Sequence, residues 1–258
     1  MDFGNGIILN LVPLWTWSLL FMRCLGMIEI IPALGTSQIP ATFRLLFVFC
    51  LSLFITLSGV QVELPLNLAQ ALILLILEFL LGVALGLIPA IIINGVGVAG
   101  QVISGAIGLG QANMMDHSLG EQTAVLSKLQ VMLATVIFLL LNGHHIVIQA
   151  CAGMLGNLEI GTFVPNYQTL SLLLYNLKES FEFAVILAAP LLVTALITNF
   201  VLGLITKFVP QMNIFIISLP LGILVGLYIL AFSTSNFKIL LANIFNAMNY
   251  SILRLFMT

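Results

Sequence analysis

Long apolar runs recur along the chain, separated by short stretches that contain polar residues, glycine or proline. The runs lie at about 7–31, 43–62, 66–99, 129–150, 183–206 and 208–232. A helix needs about 20 apolar residues to cross a bilayer, whereas a strand of a membrane barrel needs about 9–11. The runs are continuous and rich in Leu and Ile. They therefore predict an all-α, multi-helix integral membrane protein with about six long helical segments, in a single domain over residues 1–258.

Two interruptions indicate that several of these helices are kinked or broken. The third run is too long for one crossing and contains Pro89, which is expected to kink or break the helix. The fifth and sixth runs are separated only around residues 207–211. Pro210 disfavours helix at the preceding residue, so a tight helical hairpin is expected there.

Two other segments differ from the apolar runs. Residues 100–128 form a connection rich in glycine and methionine, which we interpret either as an ordinary flexible loop or as a mobile obstruction in a conduit. Residues 236–258 are expected to form a C-terminal amphipathic helix. Asn243, Asn246 and Asn249 give this helix a polar stripe at helical spacing.

Composition shows what surrounds these helices. Only 6% of the residues are charged and 61% are apolar, against about 25% charged residues in a typical soluble domain. So few charges cannot cover a core of this size with a wettable surface, and lipid or apolar protein must cover much of the chain. The net charge of −2 and the scattered basic residues exclude an electrostatic footprint for nucleic acid.

Patterns that suggest enzyme chemistry are weak. Gly95–Gly100 matches a dinucleotide-binding pattern, but that reading requires a βαβ unit, and here the glycines follow a very apolar helix. Asp116, His117 and Glu121 share one loop without the spacing of a metal site. Ser104 lacks the glycine two residues earlier that a serine nucleophile motif would show. We therefore expect no catalytic, cofactor or metal site, and a protein that is not an enzyme.

Glu78 is the most informative charged residue. Glu78, Gly82 and Gly86 are spaced i, i+4 and i+8 on one helix face, where the glycines allow a second helix to approach a buried carboxylate. We favour helix packing within an assembly. The alternative is a secondary transporter in which the third helix is broken around Glu78. Arg23 has no partner in its own segment, so we hypothesise that it pairs with Glu78.

A set of residues along nearly the whole chain resembles the FliR family of flagellar type III export-gate subunits, which has a homologue in virulence secretion systems. The stretch 202–215 followed by Pro220 resembles the family signature, with Lys207 where the family commonly has Arg. The spacing of Glu78, Gly82 and Gly86 also fits, as does the glycine-rich loop. By this resemblance and the packing argument, the candidate residues for helix packing or assembly are Arg23, Glu78, Gly82, Gly86, Gly203, Lys207, Pro210, Gln211, Asn213 and Pro220.

The resemblance implies a function and partners. It implies a subunit of a hetero-oligomeric, helical export gate at the flagellar basal body in the bacterial inner membrane. The implied partners are FliP, FliQ, FlhB, membrane lipid and the unfolded flagellar proteins that pass through. It also implies that the apparent spans need not be ordinary bilayer crossings. The loop around 104–122 resembles the plug of the closed channel, with candidate residues Ser104, Gly105, Gly108, Gly110, Met114, Met115 and Asp116.

Overall fold

A computed structural model describes residues 3–35, 39–108, 125–155, 159–208 and 214–256. These residues form helices joined by turns and irregular segments, and none of them lies in a strand. The all-α prediction is confirmed. The helices are α1 Phe3–Ile30, α2 Ala41–Leu57, α3 Leu68–Ala106, α4 Val125–Leu140, α5 Gly143–Cys151, α6 Tyr167–Phe208 and α7 Ile214–Phe256.

The helices are long because apolar surroundings offer no other partner for the backbone. Each N–H and C=O in such surroundings must be satisfied within the chain, and a helix does this locally. Among the described residues, three helices are long and apolar enough to cross a membrane, namely Leu11–Ile30 of α1, α3 and α6, and the bent pair α4–α5 makes a fourth if it is one span. The predicted number of six long apolar helices is approximate. α2 has only 17 residues, and within α7 the apolar stretches found are short, namely Pro220–Ser233 and Ile239–Leu253.

Pro89 does not end the third helix. α3 runs without a break from Leu68 to Ala106 with Pro89 inside it, and α6 and α7 likewise continue past Pro190 and Pro220. A kink or a break was expected at Pro89, and the helix is not broken there. A proline removes one backbone donor, but the strongly apolar turns on both sides have no competing partner for their remaining backbone groups.

The bend between α4 and α5 has a local cause. The two helices are bent by 66° relative to each other, and Asn142 between them has a left-handed φ of 57°. Asn adopts this conformation more readily than most residues. A Cβ on the following Gly143 would overlap the ring of Phe138. This break was not predicted from the apolar pattern.

Several predicted boundaries shift. α3 continues to Ala106 and α4 begins at Val125, so both ends of the predicted loop 100–128 are helical. Residues 236–256 are helical as predicted, but they continue α7 rather than forming a separate helix.

The chain divides into two compact units. The first contains residues 1–91, 138–176 and 245–258, and the second contains residues 92–137 and 177–244. Both units include parts of α3, α4, α6 and α7. The single domain over 1–258 therefore stays a prediction.

In the first unit α1 and α2 form an antiparallel hairpin. The rings of Trp17 and Phe49 meet edge to face with centroids 5.5 Å apart, and Arg44 pairs with Glu29 near the other end. The interior is apolar, with fully buried Leu19, Leu20 and Met27 on α1 and Leu81 and Leu85 on α3.

Candidate functional site

The centre of the first unit is a buried ion pair between α1 and α3. Arg23 Nε and Nη2 donate to Glu78 Oε2 and Oε1 at 2.5 and 3.0 Å. The side chains of Arg23 and Glu78 are 0% and 1% exposed. The structure thus contains the pairing that the sequence suggested. The two-pronged geometry matches the planar guanidinium to the carboxylate, which is the arrangement that best offsets the loss of water around two buried charges.

Two backbone groups complete the centre. Gly161 N–H donates to Glu78 Oε1 at 2.7 Å, and Arg23 Nη1 donates to the carbonyl oxygen of Cys151 at 3.4 Å. Glu78 therefore accepts three hydrogen bonds from two segments, and the centre joins α1, α3, the end of α5 and the turn at 159–162. A buried charge whose hydrogen bonds are satisfied in this way holds its neighbours in one arrangement.

The glycines beside the ion pair explain how α1 and α3 come so close. A Cβ at Gly82 would overlap the backbone carbonyl of Arg23, and a Cβ at Gly86 would lie 2.8 Å from the carbonyl oxygen of Met27. Gly26 on α1 meets the carbonyl oxygen of Phe79 in the same way. The helices cross backbone to backbone, as small residues permit in membrane proteins.

Two cysteines lie next to this centre. Cys24 on α1 and Cys151 at the end of α5 are fully buried, with their Sγ atoms 3.4 Å apart. Both are free thiols, as is Cys50, which is exposed on α2. The sequence had suggested that all three cysteines are core residues, since each lies in or beside an apolar run; this holds for Cys24 and Cys151 but not for Cys50.

Sequence reasoning missed the part played by Gly161. Its φ is +87°, a conformation that favours glycine, and this conformation presents its N–H to Glu78. The bond joins residues 83 positions apart. No local pattern around position 161 signals such a contact.

The candidate plug residues are only partly described. Ser104 and Gly105 lie in the last turns of α3, and Gly108 follows in a turn with a φ of +85°. Ser104 is buried, and no Cβ contact restricts Gly105. Gly110, Met114, Met115 and Asp116 lie outside the described residues.

The remaining candidate packing residues lie near the junction of α6 and α7. Gly203 and Lys207 are exposed on the last turns of α6, with open space around Gly203, and Pro220 lies in the second turn of α7. Pro210, Gln211 and Asn213 lie outside the described residues. The assembly role of all these residues stays a prediction.

The patterns for other chemistry do not form sites in the described residues. Gly95–Gly100 lies inside α3 rather than after a strand. Its glycines instead allow neighbouring helices to pack closely against α3. A Cβ at Gly95 would overlap Ser180 Oγ, and one at Gly100 would lie 2.6 Å from the Cα of Ser127. Within the described ranges, no three His, Cys, Asp or Glu side chains could hold a metal ion together.

The transporter alternative required a broken helix at Glu78. α3 is continuous there, and Glu78 is held by Arg23 and by the Gly161 N–H, within a fully buried centre. This arrangement fits a structural carboxylate. The comparisons below give the transporter alternative no support.

Comparison with known proteins places this architecture in a family. Residues 14–248 match the family described as "Bacterial export proteins, family 1". The chain is 33% identical to the "Flagellar biosynthetic protein FliR" of Aquifex aeolicus over 234 residues, which is 89% of each chain. It is 28% identical to the protein of the same name from Bacillus subtilis over 93% of each chain. With the Escherichia coli protein of that name it shares 30% identity over 86% of this chain and 85% of that one. The match covers α1 from residue 14, the Arg23–Glu78 centre and most of α7, and the chain belongs to bacterial export protein family 1.

Proposed function

We infer that the chain is a subunit of a flagellar type III protein export apparatus and lines part of the channel through which unfolded flagellar proteins cross the inner membrane. Membership of the export family, together with relatives named for flagellar biosynthesis over most of their length, carries the inference. On this proposal the protein is not an enzyme and stands at the flagellar basal body. Energy for export is supplied elsewhere in the apparatus.

The uncovered surface supports assembly with other apolar subunits. Only 22% of the most apolar stretch of α6 is buried within the chain, and Leu196 and Phe200 are about 70% exposed. A helix face with many exposed apolar side chains is typical of a surface that lipid or another protein covers. The proposed partners are FliP, FliQ and FlhB, with lipid covering what they leave.

The centre formed by Arg23 and Glu78 is the proposed element that keeps this subunit in one shape within the assembly. A channel subunit must keep its packing while polypeptides move past it. Three kinds of contact hold α1 against α3 in one position: the ion pair, the hydrogen bond from Gly161 N–H, and the close backbone contacts at Gly82 and Gly86.

Copurification tests the assignment. The chain, tagged and extracted from the host bacterium in mild detergent, is expected to elute in a large complex with at least two other small hydrophobic subunits. Deleting its gene is expected to leave flagellar filament protein inside the cells, and the plasmid-borne gene is expected to restore secretion. Elution as a monomer or simple dimer, together with normal secretion in the deletion strain, would contradict the assignment.

The segment 104–122 is the proposed plug of this channel. The beginning of this segment can be linked to α7 by an engineered disulfide, because a Cβ at position 226 of α7 would lie 2.9 Å from Cβ of Ile107. In a chain whose native cysteines are replaced by Ser or Ala, the pair I107C and G226C is close enough for a disulfide after a small adjustment.

Export through the tethered channel tests the plug. The oxidised double variant is expected to assemble but to block secretion of filament protein, and a reducing agent is expected to restore it. Each single cysteine variant under the same oxidant is the control. Continued secretion by the fully oxidised pair would refute the plug.

A further inference from the structure

An apolar groove lies in the first unit between the end of α1, the connection after it and the first part of α2. It has a volume of about 360 Å³, and its walls include Ile28 on α1, Leu34 in the connection, and Phe43, Phe47 and Cys50 on α2. Phe43 is 66% exposed and Phe47 is 42% exposed, so the groove opens to the surroundings of the chain. We call it the α1–α2 groove.

The α1–α2 groove has a charged end. Arg44 lines it and is the only charged residue in the sequence of α2. Arg44 Nη1 donates to Glu29 Oε2 at 2.7 Å, and the Glu29 side chain is 47% exposed. A charged side chain at the end of an otherwise apolar helix is typical of the level at which lipid head groups lie.

The guanidinium of Arg44 has more donors than acceptors. Its Nε is buried, and no atom of the described residues accepts a hydrogen bond from it. A buried donor without an acceptor destabilises a protein. The first turn of α2 contains no acidic residue, and Pro40 at its N-cap has no side-chain acceptor. A phosphate group fits this end of the groove, since it brings several acceptor oxygens and pairs well with arginine.

We propose that the α1–α2 groove is a binding site for phosphatidylethanolamine. One acyl chain lies in the groove against Phe43 and Phe47, the phosphate accepts hydrogen bonds from Arg44, and the ammonium group donates to Glu29. This inference goes beyond the proposed export function and does not depend on it.

The charges of the groove favour this lipid over others. Arg44 and Glu29 together have no net charge, so they match a zwitterionic head group better than the anionic head of phosphatidylglycerol. The choline head of phosphatidylcholine has no N–H to donate to Glu29, whereas a primary ammonium has three. An apolar side chain of a partner protein would fill the groove but would leave Arg44 Nε without an acceptor.

The thiol of Cys50 reports on the groove in the unaltered chain. Cys50 lines the groove and is exposed, whereas Cys24 and Cys151 are buried. The full chain is freed of lipid by washing in mild detergent and titrated with phosphatidylethanolamine, phosphatidylcholine, phosphatidylglycerol or inorganic phosphate, and the rate of maleimide labelling is measured. Phosphatidylethanolamine is expected to protect Cys50 at about one tenth of the concentration that the other lipids need, the effect of one hydrogen bond to a charged group. Inorganic phosphate is expected to give no protection, because it has no acyl chain.

Two variants test the roles of the charges, with bound lipid counted by native mass spectrometry of the same samples. E29Q removes the charge that attracts the ammonium group and is expected to abolish the preference for phosphatidylethanolamine over phosphatidylcholine. R44Q removes the phosphate partner and is expected to weaken binding of all three lipids about tenfold. E182Q is the matched control, because it neutralises one partner of the exposed pair Lys178–Glu182 and is expected to leave binding unchanged.

Three results would overturn the proposal. The first is equal protection by the three lipids, or a preference for phosphatidylethanolamine that persists in E29Q. The second is protection by inorganic phosphate, which would show a site for a free anion. The third is protection of Cys50 in the assembled complex after lipid has been removed, which would show that a partner protein covers the groove. None of these measurements uses secretion, so the failure of this proposal is distinct from a failure of the proposed function.

Discussion

Arg23 on α1 and Glu78 on α3 form a two-pronged ion pair that is completely buried, although the residues are 55 positions apart. Removing charges from water costs several kcal/mol per ion, and the pair offsets this only while both partners and their additional bonds are present. The contribution of the ion pair to stability is therefore measured most clearly by removing one partner.

Removing Arg23 alone is expected to destabilise the protein strongly. In R23M the Glu78 carboxylate stays buried with only the Gly161 N–H as a partner, at an expected cost of about 3–5 kcal/mol. The temperature at which the detergent-solubilised complex loses its elution peak measures this. The partly exposed pair Arg44–Glu29 is the matched control, and R44Q is expected to cost about 0–1 kcal/mol. A cost for R23M no greater than that of R44Q would refute the interpretation.

Apolar replacement of both partners should be tolerated better than exchange of their charges. R23M/E78L removes both buried charges and is expected to be more stable than R23M alone. R23E/E78R keeps a pair but turns the arginine donors toward the Gly161 N–H, which is itself a donor. Its rescue is expected to be incomplete, by the same thermal assay. Full rescue by the exchange would contradict the role given to Gly161.

The close crossing of α1 and α3 predicts different effects at two glycines. G82A places a methyl group on the Arg23 carbonyl and is expected to cost about 1–3 kcal/mol through forced separation of the helices. G203A meets nothing within 4 Å and is expected to be neutral or to stabilise by about 0.5–1 kcal/mol. Yield and thermal stability of the isolated, detergent-solubilised chain measure both. Equal effects of the two substitutions would argue against the crossing.

Thiol labelling is expected to distinguish the three cysteines. Cys50 is exposed on α2, whereas Cys24 and Cys151 are fully buried. A membrane-permeant maleimide should label one thiol in the isolated, detergent-solubilised chain and three after denaturation. In the assembled complex, protection of Cys50 is expected if a partner covers α2. C50S is the control, and labelling of C50S in the native chain would contradict the buried positions.

The bend at Asn142 predicts a preference for glycine. The left-handed φ of 57° costs an ordinary side chain about 1–2 kcal/mol. N142G is expected to be neutral or stabilising, and N142V is expected to destabilise by about that amount in the thermal assay. N142V as stable as N142G would show that the α4–α5 connection is not held in this conformation.

Helices over the apolar runs could be predicted because a long apolar run has few ways to satisfy its backbone except as a helix, although α6 begins at Tyr167 and α7 continues to Phe256, well beyond their runs. The spacing of Glu78, Gly82 and Gly86 also indicated a close helix contact, because residues four apart share a face. In contrast, the sequence left open whether Pro89 kinks the third helix or breaks it. A proline's local cost is known, but whether a helix continues past it depends on the surroundings of the neighbouring turns.

The sequence by itself determined the membrane class, the approximate helices, the family resemblance and the residue types available for a buried ion pair. All of these depend on local composition, periodicity or order along the chain. Only the tertiary structure decided that Gly161 completes the Arg23–Glu78 centre and that Ile107 is seated between Gly222 and Gly226. Such contacts join positions far apart in the chain. They arise from the packing of helices against one another, and the residue pattern of a single segment does not predict them.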